Sequence, residues 1–223
     1  MAIGFSINPA APQLDRTILD AFRGVVTPHI SDNMSRLCGV VGLRRLNKAG
    51  RLVGMAFTVK TRPGDNLMVH KALDLARPND VLVVDGGGDL NNALVGEIMM
   101  TYAAKRGLSG FVIDGAVRDS AAFYESEFPC FARGTAHRGP YKDGPGEINV
   151  PVSIGGLVIR PGDVVIGDDD GLVAFSAEHA LTILELARTQ AAREKRTMQD
   201  IRDGKLDRSW VDNALKAKGV IGV

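Results

Sequence analysis

Two neighbouring charged residues, Arg118 and Asp119, carry the most distinctive chemistry in this sequence. They follow an apolar run and Gly115, so they come directly after a predicted strand, where open α/β sheets usually bind ligands. A carboxylate oxygen suits Mg²⁺ or Mn²⁺, and a guanidinium group binds a carboxylate through two hydrogen bonds. The pair could therefore hold one metal ion and one anionic substrate group. In the structural alternative, Asp119 only caps the helix that follows and Arg118 is its surface partner.

A second carboxylate, Glu97, follows Gly96 near the start of a predicted helix over residues 93–106. The free N–H groups at a helix start can receive an anion. If the helix begins one turn later than residue 93, those groups belong to Ile98 and Met99. The structural alternative is that Glu97 only compensates the helix dipole.

A glycine loop follows the predicted strand 81–85 and reads Gly86-Gly87-Gly88-Asp89. It could bring the backbone close to a substrate, or it could simply turn a corner. The loop matches neither the spacing of a dinucleotide-binding glycine motif nor that of a phosphate-binding loop, because no Gly-Lys-Ser/Thr follows. We therefore expect neither NAD nor ATP binding.

The histidines form no close ligand pair, and they are His29, His70, His137 and His179. His70 fits a packed or surface position in a helix better than a zinc site. His137 is a candidate because it lies in a glycine-rich loop, 133–139, at a strand end. Lys60, inside an apolar strand, could be a Schiff-base amine, but an edge or snorkelling lysine is the favoured interpretation.

The bulk composition favours a soluble protein of one compact unit. The chain has 223 residues, with 27 basic and 26 acidic residues, so no global field attracts nucleic acid or a membrane, although a local patch could. Cys38 and Cys130 lack metal or redox spacing, which suits free thiols in a reducing compartment. The start resembles no secretory signal, and no apolar run approaches the ~18 residues of a membrane span. These features predict a cytoplasmic location.

The hydrophobic pattern predicts alternating helices and strands in the first half of the chain. Beyond the elements already named, the predictions are helices over 12–23 and 31–38, a strand over 51–61, a helix from Asp65 to before Pro78, and a strand over 111–114. Ser31 is the predicted N-cap of the second helix.

The second half has short strands separated by glycine and proline, which predicts an antiparallel or mixed sheet. The predicted strands are 130–133, 150–154, 157–159, 164–166 and 172–175. Asp170-Gly171 indicates a hairpin between the last two, because this dipeptide tolerates the positive φ angles of tight turns. A long helix over 177–202 and a second helix from Ser209 follow, and the charged end of the long helix is predicted to be a solvated face.

These motifs together resemble the family that contains the regulator of ribonuclease activity A (RraA) and the 4-hydroxy-4-methyl-2-oxoglutarate aldolases. The resemblance covers roughly residues 20 to 200. Its aldolase-type members carry an acidic residue, twenty intervening positions and then Arg-Asp, a spacing that Glu97, Arg118 and Asp119 fit. Aspartate occupies the first position in the characterised aldolase, where this chain has glutamate. The other matching segments are 85–88, 112–117, 133–135, 142–147 and 161–168.

The resemblance implies a fold and an assembly. The fold is an α/β sandwich of the swivelling β/β/α type, with a mixed sheet, central βαβ units and C-terminal helices. The chain is then a single RraA-like domain over 1–223, with a core at about 20–176 and a helical extension at about 177–223. The resemblance also implies a homotrimer or homohexamer with sites at subunit boundaries.

The resemblance assigns roles to the candidate site residues. Asp119 would bind Mg²⁺ or Mn²⁺ directly, Glu97 would hold metal-bound water, and Arg118 would contact the substrate. The backbone around Gly96, Ile98 and Met99 would fix the substrate carboxylate.

The family also draws an acidic residue from a neighbouring subunit's C-terminal helix. Glu194 is the candidate for this metal-site residue, with Asp200 and Asp203 as alternatives. His137, Arg138 and Lys142 could bind a distal carboxylate of the substrate, or they could be solvent-facing loop charges.

The function implied is a divalent-metal-dependent lyase without an organic cofactor, which cleaves 2-oxo acids to a pyruvate enolate. The expected type is 4-hydroxy-4-methyl-2-oxoglutarate/4-carboxy-4-hydroxy-2-oxoadipate aldolase with oxaloacetate decarboxylase activity, and neither nucleic acid nor membrane is an expected partner. The alternative is a non-catalytic RraA-type regulator that binds a ribonuclease or helicase. A third possibility is a lyase for another sugar acid or an aromatic-degradation intermediate.

Overall fold

The computed structural model describes residues 3–220 as a mixed α/β structure. Its elements in chain order are β1 (Phe5–Ile7), α1 (Arg16–Ala21), α2 (Thr27–Asn33), β2 (Gly39–Val40), β3 (Arg44–Arg45), β4 (Leu52–Thr61), α3 (Leu67–Leu75), β5 (Asp80–Val95), α4 (Glu97–Lys105), β6 (Gly110–Val117), α5 (Ser120–Glu125), β7 (Cys130–Thr135), β8 (Gly146–Ile148), β9 (Val152–Ile154), β10 (Leu157–Ile159), β11 (Val164–Asp168), β12 (Gly171–Phe175), α6 (Ala180–Arg202) and α7 (Ser209–Ala217). Short 3₁₀ turns precede α2 and α6.

One large mixed sheet contains ten of the strands in residues 3–220. Its order is β2-β12-β11-β4-β5-β6-β7-β3, with β8 paired to β4 and β1 paired to β8. The central strands β4 to β7 are parallel, and helices α3, α4 and α5 connect them as βαβ units. The strands that flank β4 to β7 pair antiparallel, and β9 and β10 form a separate hairpin. The predicted mixed sheet with central βαβ units and C-terminal helices is confirmed.

The apolar run of β5 is buried on both faces, as its sequence predicts. Leu82 and Val84 belong to the core cluster beneath α3 and α4. Val81 and Val83 point to the opposite face, into a cluster shared with the β9–β10 hairpin. A third cluster packs α1, α2 and α6 against the antiparallel part of the sheet. Burying each of these side chains contributes about 1.5–3 kcal/mol, which rigidly fixes the strand that leads to the site.

The predicted helix over 31–38 is wrong, because α2 begins at Thr27 and ends at Asn33. Pro28 lies in its first turn, where proline is tolerated because its missing N–H would have no helical partner. Asp168, at the end of β11, accepts hydrogen bonds from the Thr27 backbone N–H (2.8 Å) and hydroxyl (2.6 Å). The group that fixes this helix start is therefore 141 positions away in sequence. Ser31, the predicted N-cap, lies inside the helix.

The predicted start of the 93–106 helix is also wrong, because α4 begins at Glu97. Residues 93–95 extend β5, and Ala93 and Val95 pair with residues of β6. Leu94 packs closely against the glycines, since a Cβ on Gly86 would lie 2.5 Å from its Cδ1 atom. Strand pairing and packing thus override the helical spacing of this segment.

The other predicted elements are present with adjusted ends. β11 and β12 form the predicted hairpin around Asp169 and Asp170, and α6 and α7 follow as two helices. The predicted helix over 12–23 is shorter, with α1 capped by Asp15, which accepts from the Thr17 N–H (2.8 Å). No helix within residues 3–220 combines the length and the apolar character that a membrane span requires. The division into a core and a helical extension stays a prediction.

Candidate active site

The candidate site lies where β5 and β6 end, at the carboxyl edge of the parallel strands. Val95 and Val117 are paired as the last residues of these strands, and the Arg118 N–H donates to the Val95 carbonyl (3.0 Å). Gly96 and Arg118 follow these two paired residues and therefore lie side by side. This is the edge at which open α/β sheets usually bind ligands.

Asp119 is placed by an unusual backbone conformation. Its φ and ψ of 56° and 40° are left-handed, a region that aspartate enters more readily than most residues. Its Oδ2 accepts a hydrogen bond from the Glu97 N–H (3.0 Å) and lies 3.7 Å from Arg118 Nε. Although Asp119 occupies the N-cap position of α5, its side chain makes no capping bond there. The prediction that the Asp119 side chain caps α5 is therefore wrong, because the carboxylate accepts a hydrogen bond at the start of α4 instead.

Glycine is the one residue type that fits at position 96, beside the Arg118 and Asp119 side chains. A Cβ atom at this position would lie 2.5 Å from Asp119 Oδ2, 2.9 Å from Arg118 Cγ and 3.1 Å from Arg118 Nε. The φ of −150° is ordinary extended backbone, so the requirement for glycine is purely steric. Both charged side chains are packed over the start of α4, while 43% of Arg118 and 42% of Asp119 stay exposed.

The first turn of α4 presents free backbone donors beside the charged pair. The Glu97 N–H is used by Asp119, and the Met100 N–H donates to the Gly96 carbonyl (3.0 Å). Between them, the N–H groups of Ile98 and Met99 donate to no carbonyl within residues 3–220. Free N–H groups at the start of a nine-residue helix form an anion-binding position. Because α4 begins at Glu97, the free amides belong to Ile98 and Met99, the two residues that the sequence analysis gave for a later helix start.

Arg118 lies between two cavities. The first has a volume of about 190 Å³ and is lined by residues of α3, of the β5–α4 junction and of the loop after β7: Asn66, His70, Ala93, Leu94, Val95, Gly96, Ile98, Met99, Arg118, Pro140 and Lys142. The second is a more open groove that contains Asp119, Ser120, Thr135 and His137. Lys142 therefore lines one cavity with Arg118, and His137 lines the other.

Asp65 fixes the wall of the first cavity. Its fully buried carboxylate accepts from the N–H groups of Leu67 (2.9 Å), Asp143 (2.8 Å) and Gly144 (2.9 Å). Burial raises the pKa of Asp65, but these three hydrogen bonds and the positive charge of Arg62 (3.0 Å) together lower it by more, so the net pKa is below its ordinary value. The carboxylate ties the start of α3 to the loop that carries Lys142.

His70 faces Lys142 across the first cavity. Burial, and then the positive charge of Lys142, lower the pKa of His70. The imidazole is therefore neutral at neutral pH. Its position beside the site is a result that the helix pattern alone did not indicate.

The glycine loop within β5 lies beside Arg133 and lines neither of the two cavities. Arg133 forms a hydrogen-bonded ion pair with Asp114 of β6. A Cβ on Gly88, whose φ is +72°, would lie 3.2 Å from Arg133 Nε. The loop thus turns a corner over this ion pair, which favours the structural interpretation of the glycines.

Glu194 lies on α6 and is held by its own chain. It accepts from Gln190 Nε2 (2.9 Å) and lies 2.8 Å from His29 Nε2 on α2, with half of its side chain exposed. The hydrogen bonds from Gln190 and His29 lower the pKa of Glu194. Its rival Asp203 accepts from Gln199 instead, and Asp200 is exposed. The participation of any of them in a neighbouring subunit's site stays a prediction.

The donors present fit a hydrated divalent cation. Within residues 3–220, no group of three His, Cys, Asp or Glu side chains is arranged to hold a metal. The candidate donors of one chain are Asp119 and the exposed Glu97. Mg²⁺ is commonly bound by one or two carboxylates, with water and substrate oxygens as its other ligands. Asp119 Oδ1 accepts no hydrogen bond in this part of the chain, which leaves it free for such an ion.

Lys60 lies on an exposed position of β4, between Asp85 and Glu147 of the neighbouring strands. This exposed position on an interior strand favours the snorkelling-lysine interpretation over a buried Schiff-base amine.

Comparison with known proteins gives the family. The RraA-like family model, described as Aldolase/RraA, matches residues 27–174. A protein of Halalkalibacterium halodurans named "Putative 4-hydroxy-4-methyl-2-oxoglutarate aldolase" is 38% identical over 192 residues, which is 86% of this chain and 91% of that protein.

Two solved structures share the fold. An uncharacterized protein from Pseudomonas syringae is 27% identical with a TM-score of 0.79, covering 88% of this chain and 97% of that one. Streptomyces coelicolor RraAS2, described as an unusual member of the RNase ES inhibitor RraA protein family, is 25% identical with a TM-score of 0.78, covering 84% and 98%. The chain therefore belongs to the RraA-like family.

Proposed function

We propose that this protein is a divalent-metal-dependent lyase that cleaves 2-oxo acids to a pyruvate enolate. The proposed type is 4-hydroxy-4-methyl-2-oxoglutarate/4-carboxy-4-hydroxy-2-oxoadipate aldolase, with oxaloacetate decarboxylation at the same site. The observation that carries the proposal is the single hydrogen bond from the Glu97 N–H to Asp119 Oδ2 (3.0 Å). It brings Asp119 to the start of α4, beside Arg118 and the free helix amides, where Glu97 follows with an exposed side chain.

The substrate carboxylate is bound by the start of α4. The free N–H groups of Ile98 and Met99 and the positive end of the helix dipole attract it. Arg118 lies beside them, and its guanidinium donates to the carboxylate or to the keto oxygen. These contacts hold the 2-oxo acid with its reacting bond toward the first cavity.

Asp119 and Glu97 would hold Mg²⁺ or Mn²⁺ next to the keto oxygen. When bound, such an ion supplies positive charge that stabilises the enolate as the carbon–carbon bond breaks. Arg118 adds charge at the same place, and it acts more strongly on the enolate than on the neutral ketone. Binding therefore favours the transition state over the substrate.

The bond between carbons 3 and 4 of a 4-hydroxy-2-oxo acid breaks in the forward reaction. The 4-hydroxyl gives its proton to water and becomes a carbonyl, the bonding electron pair moves into the enolate, and carbon 3 takes a proton from water to give pyruvate. Oxaloacetate yields the same enolate by losing CO₂. One site can therefore serve both reactions, and Lys142 or His137 would bind a distal carboxylate.

The experiment measures pyruvate formation from 4-hydroxy-4-methyl-2-oxoglutarate and oxaloacetate with Mg²⁺ or Mn²⁺. Arg118→Ala and Asp119→Ala should each abolish it, while Arg44→Ala, a matched change at an exposed arginine of β3, should not. Gel filtration should show the same assembly for all three variants. Activity that survives both site substitutions would overturn the proposal.

The proposed assembly is a homotrimer or hexamer in which α6 of one subunit brings Glu194 to a neighbour's site. Its support is that His29 and Gln190 fix the position of this carboxylate while half of its side chain stays exposed.

A second candidate function is a non-catalytic regulator of a ribonuclease. The observation in its favour is the fold shared with RraAS2, whose family is described as an RNase ES inhibitor. Recovery of a ribonuclease on the immobilised protein, together with no turnover of any 2-oxo acid, would establish it over the lyase.

A further inference from the structure

Strand β5 bulges between the glycine loop and the site. Along its pairing with β6, β5 advances from Asp89 to Ala93 while β6 advances by one residue, from Gly115 to Ala116. Residues 90–92 therefore have no partner on β6. Bulges of this kind redirect side chains and are common beside active sites.

Asn92, the last residue of this bulge, is buried and holds the loop that follows β7. The Asp89 carboxylate accepts from the Asn92 backbone N–H (3.2 Å), and only 8% of Asn92 is exposed. Its Nδ2 donates to the Gly139 carbonyl (2.6 Å). The N–H of the next residue, Ala93, donates to the Arg138 carbonyl (2.8 Å). Two consecutive residues of β5 thus fix two consecutive residues of the loop.

Gly139 lies against the guanidinium group of Arg118. A Cβ atom on Gly139 would lie 3.3 Å from Arg118 Nη1, and one on Gly96 would lie 3.1 Å from Arg118 Nε. Glycine backbone therefore bounds this side chain at two points. Asp119 Oδ2 is 3.7 Å from Arg118 Nε, beyond hydrogen-bond distance, and the guanidinium donates no hydrogen bond within residues 3–220. Packing thus sets its direction, and its donors stay free for a ligand.

The direction of Arg118 matters because its charge must lie where the enolate develops. Donors that are already oriented stabilise a developing charge best, and a misplacement of about 1 Å can cost about 100-fold in rate. The substrate carboxylate has other donors, which are the free N–H groups of Ile98 and Met99. A displaced guanidinium should therefore weaken binding of the enolate far more than binding of the substrate.

We propose that Asn92 is a positioning residue, which holds Gly139 against Arg118 and thereby aims the guanidinium at the enolate. The inference rests on the proposed lyase function and adds to it a residue that lines neither cavity. The bulge that follows the glycine loop is then part of the structure that orients Arg118.

Steady-state kinetics of pyruvate release test the role of Asn92, with 4-hydroxy-4-methyl-2-oxoglutarate or oxaloacetate and Mg²⁺. Asn92→Ala should lower kcat about tenfold, the worth of one lost hydrogen bond, and should change KM by less than about threefold. Asn91→Ala is the matched control, because Nδ2 of this exposed neighbour donates to Asp89 (2.7 Å) and not to the loop. The control should keep the wild-type kcat and KM. Asn92→Asp keeps the size of the side chain but lacks the Nδ2 donor, so it should repeat the loss even if Asn92→Ala does not fold.

Binding of oxalate tests whether Asn92 acts through Arg118. Oxalate is a planar dianion that resembles the pyruvate enolate, and calorimetry with Mg²⁺ measures its Kd without turnover. Asn92→Ala should weaken oxalate binding about tenfold in the wild-type background but less than about twofold in the Arg118→Lys background, where no guanidinium remains. An equal loss in both backgrounds would indicate a role in stability alone and would overturn the proposal.

The outcomes separate this inference from the function beneath it. If the wild-type protein releases pyruvate, an Asn92→Ala variant with unchanged kcat, or with a loss in KM alone, would overturn the role of Asn92 and leave the lyase intact. A wild-type protein that releases no pyruvate from either acid above the uncatalysed rate would overturn the lyase, and this inference with it.

Discussion

Replacing Gly96 by alanine should disable the site without unfolding the protein. The new Cβ would lie 2.5 Å from Asp119 Oδ2 and 2.9 Å from Arg118 Cγ, whereas ordinary contacts are 3.4–4 Å. The two side chains must therefore move by roughly 1 Å, a misplacement that can cost about 100-fold in rate. The backbone at residue 96 is extended, so alanine adds no strain there. Stability should change by less than about 1 kcal/mol, because the displaced side chains are partly exposed.

The assay is kcat/KM for pyruvate release, measured beside the free energy of unfolding in urea. Gly24→Ala is the matched control, because a Cβ at Gly24 meets no atom within 4 Å. Gly24→Ala should keep full activity. A Gly96→Ala protein with activity within about threefold of wild type would refute the claim that the new Cβ displaces Arg118 and Asp119. A variant that keeps its activity but loses much of its free energy of unfolding would refute it as well.

Three further predictions concern the elements around the site. Asp65→Asn should lower the free energy of unfolding by about 2–4 kcal/mol and raise KM, because three backbone N–H groups lose a buried carboxylate. Because folding lowers the pKa of Asp65, its contribution to the free energy of unfolding is complete at neutral pH and is lost as the pH falls through that lowered pKa. In urea titrations, the free energies of unfolding of wild type and variant should therefore converge in acid. Glu194→Gln and Arg118→Ala subunits, each inactive alone, should regain about a quarter of the wild-type activity when co-assembled, whereas no recovery would place Glu194 outside the shared site. His70→Gln should remove the tightening of anionic substrate binding expected as His70 gains charge. Because the pKa of His70 lies below its ordinary value of 6.5, KM measured from pH 6.5 down to about pH 5 should separate the variant from wild type.

The parallel core was predictable because its signal is local. The run of Val81 to Val84 is apolar at every position, as a strand covered on both faces requires, and its flanking glycines mark its end. The hairpin at Asp169 and Asp170 was predictable for the same reason. In both cases, the residues that determine the conformation lie next to one another in sequence.

The helix starts were less predictable because distant residues fix them. Asp168 holds the first residue of α2 across 141 positions, and no local pattern at Thr27 shows this. Residues 93–95 have helical spacing, yet their pairing with β6 makes them a strand. Tertiary contacts decide such boundaries, so sequence patterns give the element and often miss its first turn.

The sequence supplied the candidate site residues, whose roles stay predictions, but it did not supply their geometry. The spacing from Glu97 to Arg118 and Asp119 indicated the residues, whereas the left-handed conformation of Asp119 and its bond to the Glu97 N–H emerge only from the fold. Asn66 had no sequence signal at all, because an asparagine before a helix usually caps it. Its side chain instead donates to the Leu94 carbonyl (2.8 Å).

The dependence of pyruvate release on a divalent cation tests the central claim most directly. Purified protein supplied with oxaloacetate or a 4-hydroxy-2-oxo acid should release pyruvate in EDTA no faster than the uncatalysed reaction does. Its activity should recover when Mg²⁺ or Mn²⁺ is restored in excess. The Asp119→Ala protein should show no such recovery. Full turnover in EDTA, accompanied by a borohydride-trapped lysine adduct, would contradict the account and would assign the reaction to a Schiff base.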